Sequence, residues 1–251
     1  MTEYKHELAM GRVSGKFVKG KYGLNSDVDT GGWEVIWNGG GSEYTGFNAV
    51  EAQTFRLASS NDEDKPSGTG LGYIRMFYLD ENYNPQVADV ELNGLTPVVT
   101  TFSGIRCDTL KGIANSEENS KRKNLGEITV SQSVDTANVF AVVPIEHNST
   151  MISCYTVPAG HTALMEDLYA FFSGQNRGVA QVRLKIREYG SVPIVAGQGS
   201  ILADGTSFIH RDLEYFSSPI PEKTDIWIEA NADTNNLSIT SGFTLVVEKN
   251  R

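Results

Sequence analysis

The sequence predicts an all-β protein: an extended N-terminal arm followed by two β-sandwich, jelly-roll-like domains. Three observations carry that expectation. Residues 51–146 and 147–251 each hold seven short segments of strand length separated by turn-forming residues, the spacing of sandwich folds. Glycine numbers 25 against 8 prolines in 251 residues, and hydrophobic residues make up 39%, a turn-rich but globular composition. Residues 1–50 lack a regular apolar period and place Gly11, Gly15, Gly20 and Gly23 at short intervals, so they read as an adaptable arm and docking segment rather than a helix.

Within the arm, Trp33, Val35 and Trp37 would share one face of a short strand, because strand side chains alternate. They either cap the core or anchor a subunit interface, where tryptophan is enriched. The first domain, 51–146, is assigned strands at 53–58, 71–79, 86–92, 98–101, 105–113, 126–131 and 138–144. Residues 89–92 alternate polar and apolar and end in Asn93-Gly94, a dipeptide suited to a tight reversal. Residues 80–85, Asp-Glu-Asn-Tyr-Asn-Pro, read as a polar hairpin loop. The second domain, 147–251, is assigned strands at 151–157, 162–172, 179–188, 194–201, 207–216, 225–230 and 237–248. There Val182, Leu184 and Ile186 alternate with Arg183, Lys185 and Arg187, a sheet with one wet face. No motif recurs at a fixed offset, so the domains are not sequence repeats.

The net charge of −10 is unevenly distributed. The first 23 residues carry five basic side chains (Lys5, Arg12, Lys16, Lys19, Lys21) and two acidic ones, net +3, leaving 16 basic and 29 acidic groups, net −13, on the remainder. An acidic body disfavours general binding to nucleic acid or anionic lipid. No uninterrupted apolar run exceeds five residues, as at 139–143, far below the roughly 20 a bilayer span requires. The N-terminus has no apolar stretch of signal-peptide length, so folding in the cytoplasm is expected. Cys107 and Cys154 match no zinc or redox spacing and read as reduced core residues.

Catalytic and metal motifs are weak. His6, His147, His161 and His210 lie in separate segments without a second ligand at metal spacing and read as structural imidazoles. Residues 67–72 evoke a glycine-rich loop, but follow the acidic run 61–64 rather than a strand, so a hairpin tip is the better reading. Asp27, Asp29 and residues 61–64 offer oxygen atoms to a cation, yet none matches an EF-hand, and solvated turns are the default. No local motif points to a carboxylate pair for glycoside hydrolysis. Residues 116–124, with Arg106 and Lys111, read as a solvated charged loop or as a contact for an acidic partner. No cofactor or metal is expected.

Five stretches together carry a resemblance: Gly23-Leu-Asn-Ser-Asp-Val-Asp-Thr30, Glu34-Val-Ile-Trp-Asn-Gly-Gly-Gly41, Leu92-Asn-Gly-Leu-Thr-Pro-Val-Val-Thr100, Tyr155-Thr-Val-Pro-Ala-Gly-His-Thr162 and Pro221-Glu-Lys-Thr-Asp225. The chain resembles a family of structural proteins in tailed bacteriophages, common among marine phages, from about residue 11 to residue 247. Asn38 departs from the usual Trp-Asp-Gly-Gly, which weakens a cation-ligand role there. The resemblance implies a non-enzymatic virion component made in the host cytoplasm: a capsid decoration or cement protein, or a tail- or fibre-associated one. Its expected partners are the major capsid protein or other virion proteins and further copies of itself, as a trimer. Arg12, Lys16, Lys19, Lys21, Trp33 and Trp37 are the expected attachment residues. The competing reading is a carbohydrate- or receptor-binding module, with Tyr44, Phe47, Tyr78 and Tyr83 as candidates to stack on sugar rings.

Overall fold

The computed structural model describes residues 2–41, 44–114, 122–174, 176–202, 208–212 and 218–250. Helix α1 (Thr2–Ala9) leads into strands β1 (Lys16–Val28) and β2 (Glu34–Val35). Then follow β3 (Gln53–Ser59), β4 (Tyr73–Leu79), β5 (Pro85–Glu91), β6 (Val98–Gly104), β7 (Arg106–Ile113), β8 (Ile128–Gln132) and β9 (Val139–Val143). The chain continues through β10 (Cys154–Thr156), β11 (His161–Phe172), β12 (Val179–Arg187), β13 (Ile194–Leu202), β14 (Phe208–Asp212), β15 (Asp225–Ala232) and β16 (Leu237–Lys249). The fold is all-β, as the sequence predicts.

The chain divides into two compact units, residues 43–152 and residues 1–42 with 153–251. In the first, an antiparallel sheet ordered β6-β3-β8-β9 faces a second ordered β5-β4-β7. β4 alternates: Ile74, Met76 and Tyr78 are buried, while Arg75 points outward to a two-pronged pair with Asp89 at 2.7 and 2.8 Å. Phe55 sits at the centre, with edge-on rings of Phe140 at 5.2 Å and Tyr78 at 5.7 Å. Residues 147–152 stay with this unit because Ser149 bridges Lys111 and the Thr150 hydroxyl accepts the Leu110 amide.

The glycine-rich stretch 67–72 folds around a buried carboxylate. Asp64 accepts the Leu71 and Leu125 amides on one oxygen, and the Gly126 amide and Ser59 hydroxyl on the other. A Cβ on Gly68 or Gly70 would collide with Glu63 or with Asp64 itself, so these glycines permit a close wrap. Asp62 pairs with Lys65 at 2.7 Å, and Glu63 accepts from Thr69.

In the second unit, a sheet ordered β1-β16-β11-β14 packs on one ordered β10-β15-β12-β13, with β2 also paired to β15. Their inner faces supply one apolar core, including Met165, Phe243 and Leu245 from the first sheet and Leu184, Ile226 and Ile228 from the second. The outward face of β12 is less wet than its alternation suggests. Arg183 and Arg187 each reach a carboxylate on β15, Glu229 and Asp225, at 2.6 Å, and both carboxylates are buried. β14 answers part of the strand expected at 207–216, whose remainder lies outside the described residues, as do 115–121 of the charged loop.

The arm expected over residues 1–50 is corrected. Residues 2–9 are helical, and Gly11 and Gly15, both at positive φ, turn the chain into a strand. β1 then pairs with β16 from Lys16 opposite Glu248 to Val28 opposite Leu237, so the N-terminal segment is an integral strand of the second unit. The physical reason is that β1 turns lysines and a glycine inward. It lacks the apolar-in alternation by which a strand announces itself.

Candidate interaction surface

β1 is an edge strand, and its register on β16 sets where each side chain goes. Lys19 lies opposite Leu245 and Lys21 opposite Phe243, both fully buried, so the two lysines project toward the sandwich interior. The Lys19 ammonium sits 5.5 Å from the centre of the Tyr155 ring. Lys21 is buried beside Cys154, whose thiol is pushed well above its ordinary pKa by burial, against the opposing pull of the Lys21 charge. Inward-pointing charges on an edge strand also oppose addition of a further strand.

The other expected attachment residues scatter. Arg12 pairs with Glu7 at 3.0 Å and is exposed. Lys16 pairs with Glu248 at 2.9 Å, and the hydrogen bond to that carboxylate, followed by one to Tyr4, holds its ammonium above the ordinary lysine pKa. Trp33 lies beneath the Arg183 guanidinium, 3.8 Å from ring centre to charge, which fixes it on the salt-bridged face of β12. Trp37 is buried, donates to the Gly40 carbonyl at 2.9 Å, and has Gly39 folded against its ring. The structure therefore does not gather the six into one exposed patch.

Beyond Lys16, what β1 presents outward as far as Leu24 is uncharged and mostly apolar. On the outer face of its sheet, cross-strand rows run Lys16–Glu248–Thr162, Val18–Val246–Leu164, Gly20–Thr244–Asp167, Tyr22–Gly242–Tyr169 and Leu24–Thr240–Phe171. Val18, Tyr22 and Phe171 are 40%, 48% and 38% exposed. Tyr169 stacks on Phe171, with centroids 6.2 Å apart, and leans over Gly242, where any Cβ would strike its ring. Burial, then the Asp167 charge and Tyr22, raise the Tyr169 phenol above its ordinary pKa. Sequence reasoning missed this strip because a bulge between Met165 and Asp167 reverses the alternation of β11 midway. The signal was present as large apolar residues on both parities of 161–172.

The sugar-stacking candidates are corrected as well: Tyr44, Phe47, Tyr78 and Tyr83 are all buried. Tyr44 donates to the Phe140 carbonyl at 2.7 Å, and the Phe47 and Tyr83 rings bracket the Arg106 guanidinium at 5.6 and 5.7 Å. Arg106 is itself buried, donating to the Ala49 and Ile105 carbonyls, so it is not a surface contact for an acidic partner. His161 bonds through Nδ1 to the Ala159 carbonyl at 2.8 Å. Both cysteines are buried and unbridged. Asp29 braces its own loop by accepting the Asn236 amide. Among the described residues, no three His, Cys, Asp or Glu side chains gather to hold a metal ion.

No family model matches the chain, and no curated protein matches it. Among solved structures it is similar to the CBM22-1–GH10 modules of Clostridium thermocellum xylanase 10B, complexed with xylohexaose, at 9% identity and a TM-score of 0.23, covering 80% of this chain and 28% of the xylanase chain. It is also similar to the infectious bursal disease virus Gt strain structure, at 9% identity and TM-score 0.22 over 92% and 70% of the two chains. The VP2 subviral particle of infectious bursal disease virus follows at 10% identity and TM-score 0.19, over 99% and 78%. At TM-scores this low these likenesses carry no argument about function.

Proposed function

We propose that the chain is a non-enzymatic structural component of a tailed-phage virion, a decoration or cement protein seated on the particle through the outer face of the β1–β16–β11 sheet. The observation that carries this reading is the exposed strip of Val18, Tyr22 and Phe171 on a chain of net charge −10. Rigid aromatic side chains give large contact area at low entropic cost, which makes them interface anchors. The five stretches that resemble a tailed-phage structural family support the same reading. The partner is then the major capsid protein or another virion protein, and self-association of the subunit multiplies weak contacts. Removing residues 1–23 is not a clean test, because it takes more than half of β1 from a packed sandwich.

Substituting Tyr22→Glu and Phe171→Glu together puts charge into the strip without touching the core. The expected outcome is at least a tenfold drop in copies bound to particles that lack this protein, with an unchanged thermal midpoint. Undiminished binding overturns the seat. An image reconstruction of the intact virion tests the role itself: regular coverage of the shell supports decoration, and a single axial location reassigns the chain to the tail.

A second reading, carbohydrate binding, is favoured by one observation, the Tyr22–Gly242–Tyr169 row, where two aromatic rings flank a residue without a side chain. Glycan-array binding that disappears in Tyr22→Ala would select it.

A further inference from the structure

Among the described residues, β13 ends its sheet, hydrogen-bonded on one side to β12. Residues 189–202 contain no charged side chain, although charged residues make up 21% of the chain. Exposed apolar groups concentrate there: Tyr189 is 68% exposed, Val192 78%, Ile194 58%, Val195 47% and Leu202 55%. Pairing with β12 puts Val195 opposite Lys185 and Leu202 opposite Val179 on the outer face, and Ile194 opposite Ile186 on the inner one. On that inner side Ile194 and Ala196 line an open cavity of about 320 Å³ with Met165, Leu168 and Leu184, so apolar surface lies on both sides of the strand. Two other edges are blunted. β1 turns Lys19 and Lys21 inward, and β5 carries Asp89, Glu91 and an initial proline.

We propose that β13 is a homotypic seam: two copies of this chain pair their β13 edges antiparallel about a two-fold axis, joining their five-stranded sheets into one. Charge selects the occupant. Two copies that each carry −10 repel over most of their surfaces, and a neutral edge lets them meet without opposed like charges. An oppositely charged partner would gain nothing at this edge. A strand edge is self-complementary under a two-fold axis, which makes the contact isologous. The five exposed side chains amount to roughly 500 Å² per copy, so a pair reaches about 1,000 Å², where specific association begins.

Sedimentation of the purified full-length chain tests this. The wild type is expected to be a dimer at tens of micromolar, and Val195→Glu and Leu202→Glu are each expected to weaken it by about 100-fold or more, with unchanged far-UV circular dichroism and thermal midpoint. Val99→Glu, on the likewise uncharged edge strand β6, is expected to leave the dimer intact, as is Tyr22→Glu. A wild-type monomer or trimer overturns the proposal, as does a dimer that survives both β13 variants or dissolves equally in Val99→Glu. The measurement involves no virion, so failure of particle docking leaves this result standing, and the reverse.

Discussion

Asp64 is fully buried, with four donors on its two oxygens, and it ties three loop segments of the 43–152 unit to one point. A carboxylate is acceptor-only, so it satisfies the Leu71, Leu125 and Gly126 amides and the Ser59 hydroxyl at once. Asp64→Asn sets an NH2 group against donors that have no other partner. The expected loss is about 3 kcal/mol or more in urea unfolding, and a loss below about 1 kcal/mol would sink this account. Arg106 teaches a different lesson. Bracketed by Phe47 and Tyr83, it has the residue types of an exposed binding face, and burial alone distinguishes a core cage from such a face. Composition at a site is legible in sequence; depth is not, because depth is set by residues far away along the chain.

At the scale of elements, the strands most legible in sequence are those whose buried face is apolar. The segment expected at 53–58 is observed as Gln53–Ser59, and that at 179–188 as Val179–Arg187, because period-two alternation and flanking turn residues are local properties. β1 escaped, since Lys19, Lys21 and Asn25 take inward positions on it, whereas the short strand expected around Val35 is observed as β2. β1 also passes so close to its neighbours that a Cβ on Gly23 would collide with backbone, the Ile36 carbonyl and the Ser153 amide, whereas Gly20 faces open space. Gly23→Ala is therefore expected to cost roughly 2 kcal/mol or more from overpacking against rigid backbone. Gly20→Ala in the same strand is expected to stay near neutral. Equal effects in chemical denaturation would mean that the close crossing is not what requires glycine.

For the whole molecule, the chain passes through one unit on its way out of and back into the other. Residues 43–152 are contiguous and hold both sheets of their sandwich, so as a fragment they are expected to unfold cooperatively on their own. Residues 153–251 alone lack β1 and β2, which leaves one edge of β16 open and its buried Phe243 and Leu245 without their flank. That fragment is expected to lack a cooperative thermal transition and to regain one when residues 1–42 are fused to it. A fragment of 153–251 that melts like the intact chain would refute this division. The all-β class and the positions of the strands that became β3 to β16 are legible in the residue order, since alternation and turn chemistry are written within a few residues. Long-range packing settles that the N-terminal segment closes the second sandwich, that Tyr44 and Tyr83 lie inside, and that Tyr22 and Phe171 face outward. The first and last rest on pairing across more than 200 residues and on a bulge that reverses a strand's parity, and the burial of Tyr44 rests on packing against Phe140, 96 residues away.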